Sequence, residues 1–157
     1  MPHTPPDGYR HANPITIRFA DMDAMGHVNN AVYLTYFETA RMNYMHDVCG
    51  VGAAEGNGDM RGLGDIHGAS MILAKMTVEY KLPLVLGDEI VVYIRCSHIG
   101  NKSFELDAVI MCYKDGQAAP AATGVAVLVA YDYATSQTQP VSDVWRERIR
   151  AYELLPV

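Results

Sequence analysis

Four runs between residues 72 and 131 alternate along the chain with period two, and no other feature restricts the fold as tightly. Ile72, Ala74, Met76, Val78 and Tyr80 share one face of the first run. Leu73, Lys75, Thr77 and Glu79 share its other face. The second run groups Ile90, Val92, Ile94 and Cys96, and the third groups Phe104, Leu106, Ala108, Ile110 and Cys112. The fourth groups Thr123, Val125, Val127, Val129 and Tyr131. Successive side chains on a strand point to opposite faces, so the pattern specifies an antiparallel sheet with one covered face. Gly87-Asp88, Gly100-Asn101 and Asp115-Gly116 punctuate the runs as turns.

Such a sheet needs a second layer, and residues 31–48 supply it. Tyr33, Phe37, Ala40, Tyr44 and Val48 recur at spacings of three or four, which is one face of a helix. Val32, Tyr36 and Met45 widen that face, and Glu38 and Arg41 stand one turn apart. Asn29 or Asn30 can cap the start, and Gly50 can end the helix. Ile15 to Phe19 alternates and predicts a short first strand. Residues 142–154 predict a last helix capped by Ser142. The order is then β, α, four β, α: an α+β chain of two layers. We expect a flexible, Pro-rich lead-in over 1–14 and one domain over 15–157. Open sheet edges are best covered by a second copy, so a homodimer is the default.

Composition removes several classes. The formal net charge is −6 with no basic run, against general nucleic-acid binding or dependence on an acidic membrane. No apolar run reaches 18 residues and no leader pattern opens the chain, so neither a membrane span nor a signal peptide is expected. Cys49, Cys96 and Cys112 are odd in number and lack CxxC spacing, which fits reduced thiols in the cytoplasm. The histidines, at 3, 11, 27, 46, 67 and 98, show no metal-ligand spacing, so no metal is expected. Residues 50–69 hold seven glycines but no phosphate-cradling motif; they read as a surface connection or as a lid.

The chemistry concentrates at Arg18-Phe19-Ala20-Asp21-Met22-Asp23-Ala24-Met25-Gly26-His27-Val28-Asn29-Asn30. Two carboxylates, an imidazole and two amides stand between a strand and a helix start. A helix N-terminus offers unpaired N–H groups to a developing oxyanion, and a nearby carboxylate can act as base or nucleophile. The same residues could equally form a capping loop whose Asp and Asn side chains satisfy backbone donors.

The stretch RFADMDAMGHVNNAVYLTYFETAR, residues 18–41, resembles the hotdog-fold acyl-CoA thioesterases of the 4-hydroxybenzoyl-CoA thioesterase type. Tyr80-x-x-Pro83-x-x-x-Gly87-Asp88 and Gly100-Asn101-Lys102-Ser103-Phe104 resemble later turns of that family. The resemblance covers about residues 15–133. It implies a curved antiparallel sheet wrapped around one long helix, and hydrolysis of acyl-CoA to free acid and CoA with no cofactor. It places the catalytic carboxylate on Asp23, as nucleophile or general base, and the oxyanion donor on the backbone N–H of Asn30. Asp21 then orients the loop, Arg18 and Glu38 hold the scaffold, and His27 supports the chemistry. The motif of plant-type acyl-carrier-protein thioesterases has Asn where this chain has Met25.

For binding, Tyr33 and Phe37 are expected to line the acyl pocket. Lys75, Lys81, Arg95 and Lys102 are candidate cations for the phosphates of CoA, and Lys102-Ser103 is preferred among them. A hotdog hydratase is disfavoured, because Asp23 and His27 stand one residue too close for D-x-x-x-x-H. A non-catalytic acyl-CoA sensor and an acyl-carrier-protein thioesterase remain the alternatives. A homodimer or homotetramer is expected.

Overall fold

The computed structural model describes residues 3–51 and 71–155. The glycine-rich connection expected over 50–69 therefore lies almost wholly outside the described residues. The elements are β1 (His11–Ile15), a 3-10 turn (Phe19–Asp21), α1 (Asn30–Cys49), β2 (Met71–Tyr80), β3 (Glu89–Ile99), β4 (Ser103–Lys114), β5 (Gln117–Asp132), β6 (Gln137–Thr138) and α2 (Asp143–Glu153). The sheet runs β1-β3-β4-β5-β2 with antiparallel neighbours, and β6 pairs with β5. Register shifts at Leu73/Lys75, Cys96/His98 and Ile110/Met111 let the sheet curve around α1.

The four alternating runs become β2 to β5, but on β5 the inward face is the opposite one: Gly124, Ala126, Leu128 and Ala130 are buried against the helix side, while Val125 is exposed and Thr123, Val127, Val129 and Tyr131 are half-buried, because the Phe37 ring of α1 leaves no room for a larger side chain at Gly124. On β3, Ile90, Val92, Ile94 and Cys96 are buried on the face that joins the helix core. The helix face foreseen from Tyr33, Phe37, Ala40, Tyr44 and Val48 is buried at every one of those positions. Asn29 caps α1, its side chain accepting from the Ala31 N–H at 2.9 Å. Gly50 ends it at φ 76°, a left-handed conformation that suits glycine. Ser142 caps α2, and Trp145 and Ile149 bury its inner face. Glu153 of α2 accepts from Tyr44 Oη of α1 at 2.6 Å and from the Cys96 N–H of β3 at 2.8 Å, closing that end of the core. Among the described residues no helix is long and apolar enough to cross a membrane.

The first strand is displaced from its expected place. It lies at His11–Ile15, and Phe19 belongs to the 3-10 turn and is 83% exposed. The polarity of β1 explains the shift. His11 and Asn13 are buried because α1 satisfies them. His11 Nε2 lies 2.9 Å from Asp47 Oδ2, and Asn13 Oδ1 accepts from Asn43 Nδ2 at 3.0 Å. Pro14 is tolerated because β1 is an edge strand.

The lead-in is also more structured than expected. Residues 3–10 lie along the outer face of the sheet. His3 stacks on Tyr113 with ring centroids 3.5 Å apart, and Tyr9 packs on Val91, Tyr93 and Val109 beneath Arg95. Both faces of β3 are consequently covered over Ile90 to Ile94.

Candidate active site

The loop from Arg18 to Asn29 is built around one buried carboxylate. Asp21 Oδ1 accepts from Arg18 Nε and Nη2 at 3.1 and 2.7 Å, and Oδ2 accepts from the Arg18 N–H at 2.9 Å and from Tyr36 Oη at 2.8 Å. The Arg18 guanidinium holds Asp21 below the usual carboxylate range. Burial, together with Asp21, pushes the Tyr36 phenol up, so it stays a donor. The Asn29 N–H then donates to Asp21 O at 2.9 Å, fixing where α1 begins.

Beyond Asp21 the chain folds back on itself. Met22 bridges Val28, and the Asp23 N–H donates to His27 O at 2.9 Å. The tip turns through Gly26 at φ 81°, where a side chain would be strained. The Val28 N–H donates to Leu84 O at 2.8 Å, tying the loop to the segment between β2 and β3.

This places Asp23, His27, Asn30 and Tyr33 on one side of an open pocket of about 430 Å³, with Tyr80 to Pro83 opposite. Asp23 Oδ1 accepts from the Met25 N–H at 2.9 Å. Its Oδ2 and the His27 ring have no hydrogen-bond partner among the described residues. Of the first three N–H groups of α1, Ala31 is taken by the Asn29 side chain and Val32 by the Asn29 carbonyl. Among the described residues the Asn30 N–H has no acceptor, and it carries the positive end of a 20-residue helix. Two side-chain contacts hold the first turn in place. Tyr80 Oη donates to Asn30 O at 2.8 Å, and Tyr33 Oη donates to Leu82 O at 3.1 Å.

The other expected binding residues lie elsewhere. Phe37 is buried against β5, where Gly124 has no Cβ to obstruct its ring, and it does not line this pocket. Lys102 and Ser103 stand in the β3–β4 turn and do not line it either. That turn is fixed from other directions: the Ala130 N–H donates to Lys102 O at 2.8 Å, and Lys102 Nζ lies 3.4 Å from Thr138 Oγ1. The cation that does reach the pocket is Lys81, with Glu79 at 3.9 Å. Its signal is the Tyr80-x-x-Pro83 turn, which marks the backbone facing the helix start. Of the remaining candidate cations, Arg95 is committed to Tyr9 and Asp107 on the outer face. Glu38 and Arg41 approach to 3.9 Å.

A larger cavity of about 570 Å³ runs along β1 and the start of β3, lined mainly by apolar side chains. It holds no free helix N–H beside a carboxylate, so the smaller pocket is the one with chemistry. Among the described residues no group of three His, Cys, Asp or Glu could hold a metal.

A curved antiparallel sheet around one helix, with a carboxylate loop at the helix N-terminus, defines the hotdog class of thioester hydrolases. The chain belongs to the thioesterase-like superfamily, whose model matches residues 17–149. Long-chain acyl-CoA thioesterase FadM of Escherichia coli (strain K12) is 25% identical over 135 residues, covering 86% of this chain and 93% of its own. A thioesterase from Thermus thermophilus, solved with coenzyme A and Zn, is 32% identical with a TM-score of 0.76, covering 96% of this chain and 99% of its own. A thioesterase-superfamily structure from Jannaschia sp. CCS1 shares the fold at a TM-score of 0.79 and 20% identity, covering 97% of this chain and 89% of its own.

Proposed function

We propose that this protein hydrolyses acyl-CoA thioesters to free acid and CoA. The observation that carries the reading is the juxtaposition on a single pocket of Asp23 and the Asn30 N–H, the first with one oxygen, the second with its hydrogen, unpartnered among the described residues. The thioester carbonyl oxygen accepts from the Asn30 N–H. Negative charge gathers on that oxygen as the carbonyl carbon becomes tetrahedral, and the helix dipole stabilises it. Asp23 serves in one of two ways. As general base it takes a proton from water, the hydroxide adds to the carbonyl carbon, the C–S bond breaks, and the proton passes to the CoA thiolate. As nucleophile its carboxylate adds directly, thiolate leaves, and water cleaves the resulting anhydride. A thiolate leaves readily near neutral pH, so little acid assistance is needed. His27 faces the same pocket and supports the proton transfer.

Lys81 at the pocket is the group assigned to the phosphates of CoA. Tyr33 lines the acyl end. Cys49, Cys96 and Cys112 are buried free thiols, with Cys49 and Cys96 pushed up to about 12 by burial. Unpaired thiols fit a reducing, cytoplasmic setting.

The assembly we assign is a homodimer, or a tetramer built from it, through β2. No residue of this ten-residue edge strand is buried, and Ile72 and Leu73 are each 42% exposed. An open apolar edge of that length invites pairing with a second copy. Light scattering should give twice the chain mass or a multiple of it, and Leu73→Lys should reduce it. A monomeric wild type overturns the assembly.

The activity is tested by thiol release across a panel of aliphatic and aryl CoA thioesters. The wild type should turn over at least one of them, and Asp23→Asn should lose that turnover while keeping its melting temperature. Tight acyl-CoA binding with no thiol release would mark the chain as a sensor instead.

A further inference from the structure

The pocket that holds Asp23 has a fixed inner wall. Tyr33 stands one helical turn inside Asn30 and is only 3% exposed. Its hydroxyl is used twice, donating to Leu82 O at 3.1 Å and accepting from the Leu84 N–H at 3.2 Å. Its ring meets Tyr80 edge-on with centroids 5.1 Å apart. Burial pushes its phenol up, so the hydroxyl stays neutral and bonded.

Behind Tyr33, on the next turn of the same face, the space is already filled. A Cβ on Gly124 would lie 3.2 Å from the Phe37 ring and 2.8 Å from Met76 Cε, so helix and sheet meet there without a channel. A long acyl chain entering between α1 and the sheet would have to move Tyr33, leaving Leu82 O and the Leu84 N–H unpaired, and would then meet Phe37.

We propose that Tyr33 ends the acyl site, so that the enzyme acts on thioesters of compact acyl groups, a short aliphatic chain or a single ring, rather than long chains. The proposal rests on the thioesterase reading above. It separates this chain from its 25% identical relative, whose name states a long-chain substrate. A hydrophobic pocket discriminates roughly 10–200-fold per methylene that does not fit, so a fixed wall has a large effect on the chain-length profile.

The test measures kcat/KM of the full chain on acetyl-, butyryl-, octanoyl-, palmitoyl- and benzoyl-CoA, for the wild type, Tyr33→Ala and Tyr33→Phe. The wild type should favour butyryl- or benzoyl-CoA over palmitoyl-CoA by at least about tenfold, and those two arms decide between chain and ring. Tyr33→Ala should raise the palmitoyl-to-butyryl ratio by at least about tenfold. Tyr33→Phe keeps the ring but loses both hydroxyl bonds that hold it, so its ratio should lie between those of the wild type and Tyr33→Ala. If Tyr33→Ala does not fold, Tyr33→Leu should move the ratio the same way by less. A wild type that works best on palmitoyl-CoA, or a ratio unchanged in every folded variant lacking the ring, overturns the wall while the thioesterase reading stands. Absence of turnover on every thioester, or turnover indifferent to Asp23→Asn, overturns both.

Discussion

Asp21 and Asp23 stand two residues apart and have opposite surroundings. Asp21 is 1% exposed and spends both oxygens on Arg18 and Tyr36. Asp23 is half-buried, spends one oxygen on the Met25 N–H, and turns toward the pocket. The residue type is the same, so the division of labour comes from partners alone. A carboxylate whose lone pairs are all occupied builds the loop, and one with a free oxygen can meet a substrate. The two are coupled, because Asp21 also accepts from the Asn29 N–H through its carbonyl and so fixes where the Asn30 N–H points.

Removing each carboxylate in turn should separate the two roles. Asp23→Asn should lower kcat by about 10²–10⁴-fold, the scale of general acid–base catalysis. Its melting temperature should stay near the wild type's, because the Asp23 side chain holds a single hydrogen bond among the described residues, from the Met25 N–H, and an amide oxygen can accept it as well. Asp21→Asn should do the reverse in stability, costing about 1–3 kcal/mol through an imperfectly paired Tyr36 and Arg18, read by denaturant unfolding. Any loss of turnover there should come from displacement of the loop.

Acid unfolding sharpens the same contrast. The folded pKa of Asp21 is lowered, so its contribution is fully present above the unfolded carboxylate value of about 3.9 and is lost as pH falls through the folded value. Below about pH 4 the wild type should therefore lose stability more steeply than Asp21→Asn. Equal slopes would contradict the assigned pairing.

The smallest effect belongs to the rim. Lys81→Ala should raise KM for acyl-CoA a few-fold, less at high salt, and leave kcat almost unchanged, because an exposed cation attracts phosphate without touching the reacting carbonyl.

Much of this organisation is legible in the sequence, and what is not has physical reasons. Period two over residues 72–131 marks β2 to β5, because one face of each strand is more covered than the other; on β5 it does not say which, since the small face of Gly124 and Ala126, not the valine face, meets the bulky Phe37. Both helices are legible because the capping residues Asn29, Gly50 and Ser142 each meet a specific backbone need. β1 is not, since its inward residues are His11 and Asn13, and only Asp47 and Asn43, some thirty positions away, make that burial tolerable. Phe37 reads as a ligand-facing aromatic because helical spacing puts it on the same face as Tyr33. Gly124, far along the chain, decides that it packs on β5 instead. Lys81 and Lys102 cannot be ranked by local sequence, because each stands next to a strand end, Lys81 just after β2 and Lys102 just before β4, and only the closure of the sheet brings one of them to the pocket.

In the proposed mechanism an N–H, not a side chain, at Asn30 stabilises the oxyanion. Asn30→Pro tests it most directly. Proline is well tolerated at the first helical position, and Asn29 already holds the extended conformation, φ −58° and ψ 136°, that precedes it. The substitution deletes the N–H and keeps the helix, whereas Asn30→Ala deletes the side chain and keeps the N–H. With both variants folded, kcat should fall about 10²–10³-fold for Asn30→Pro and stay near normal for Asn30→Ala. Equal rates in the two variants would contradict that mechanism.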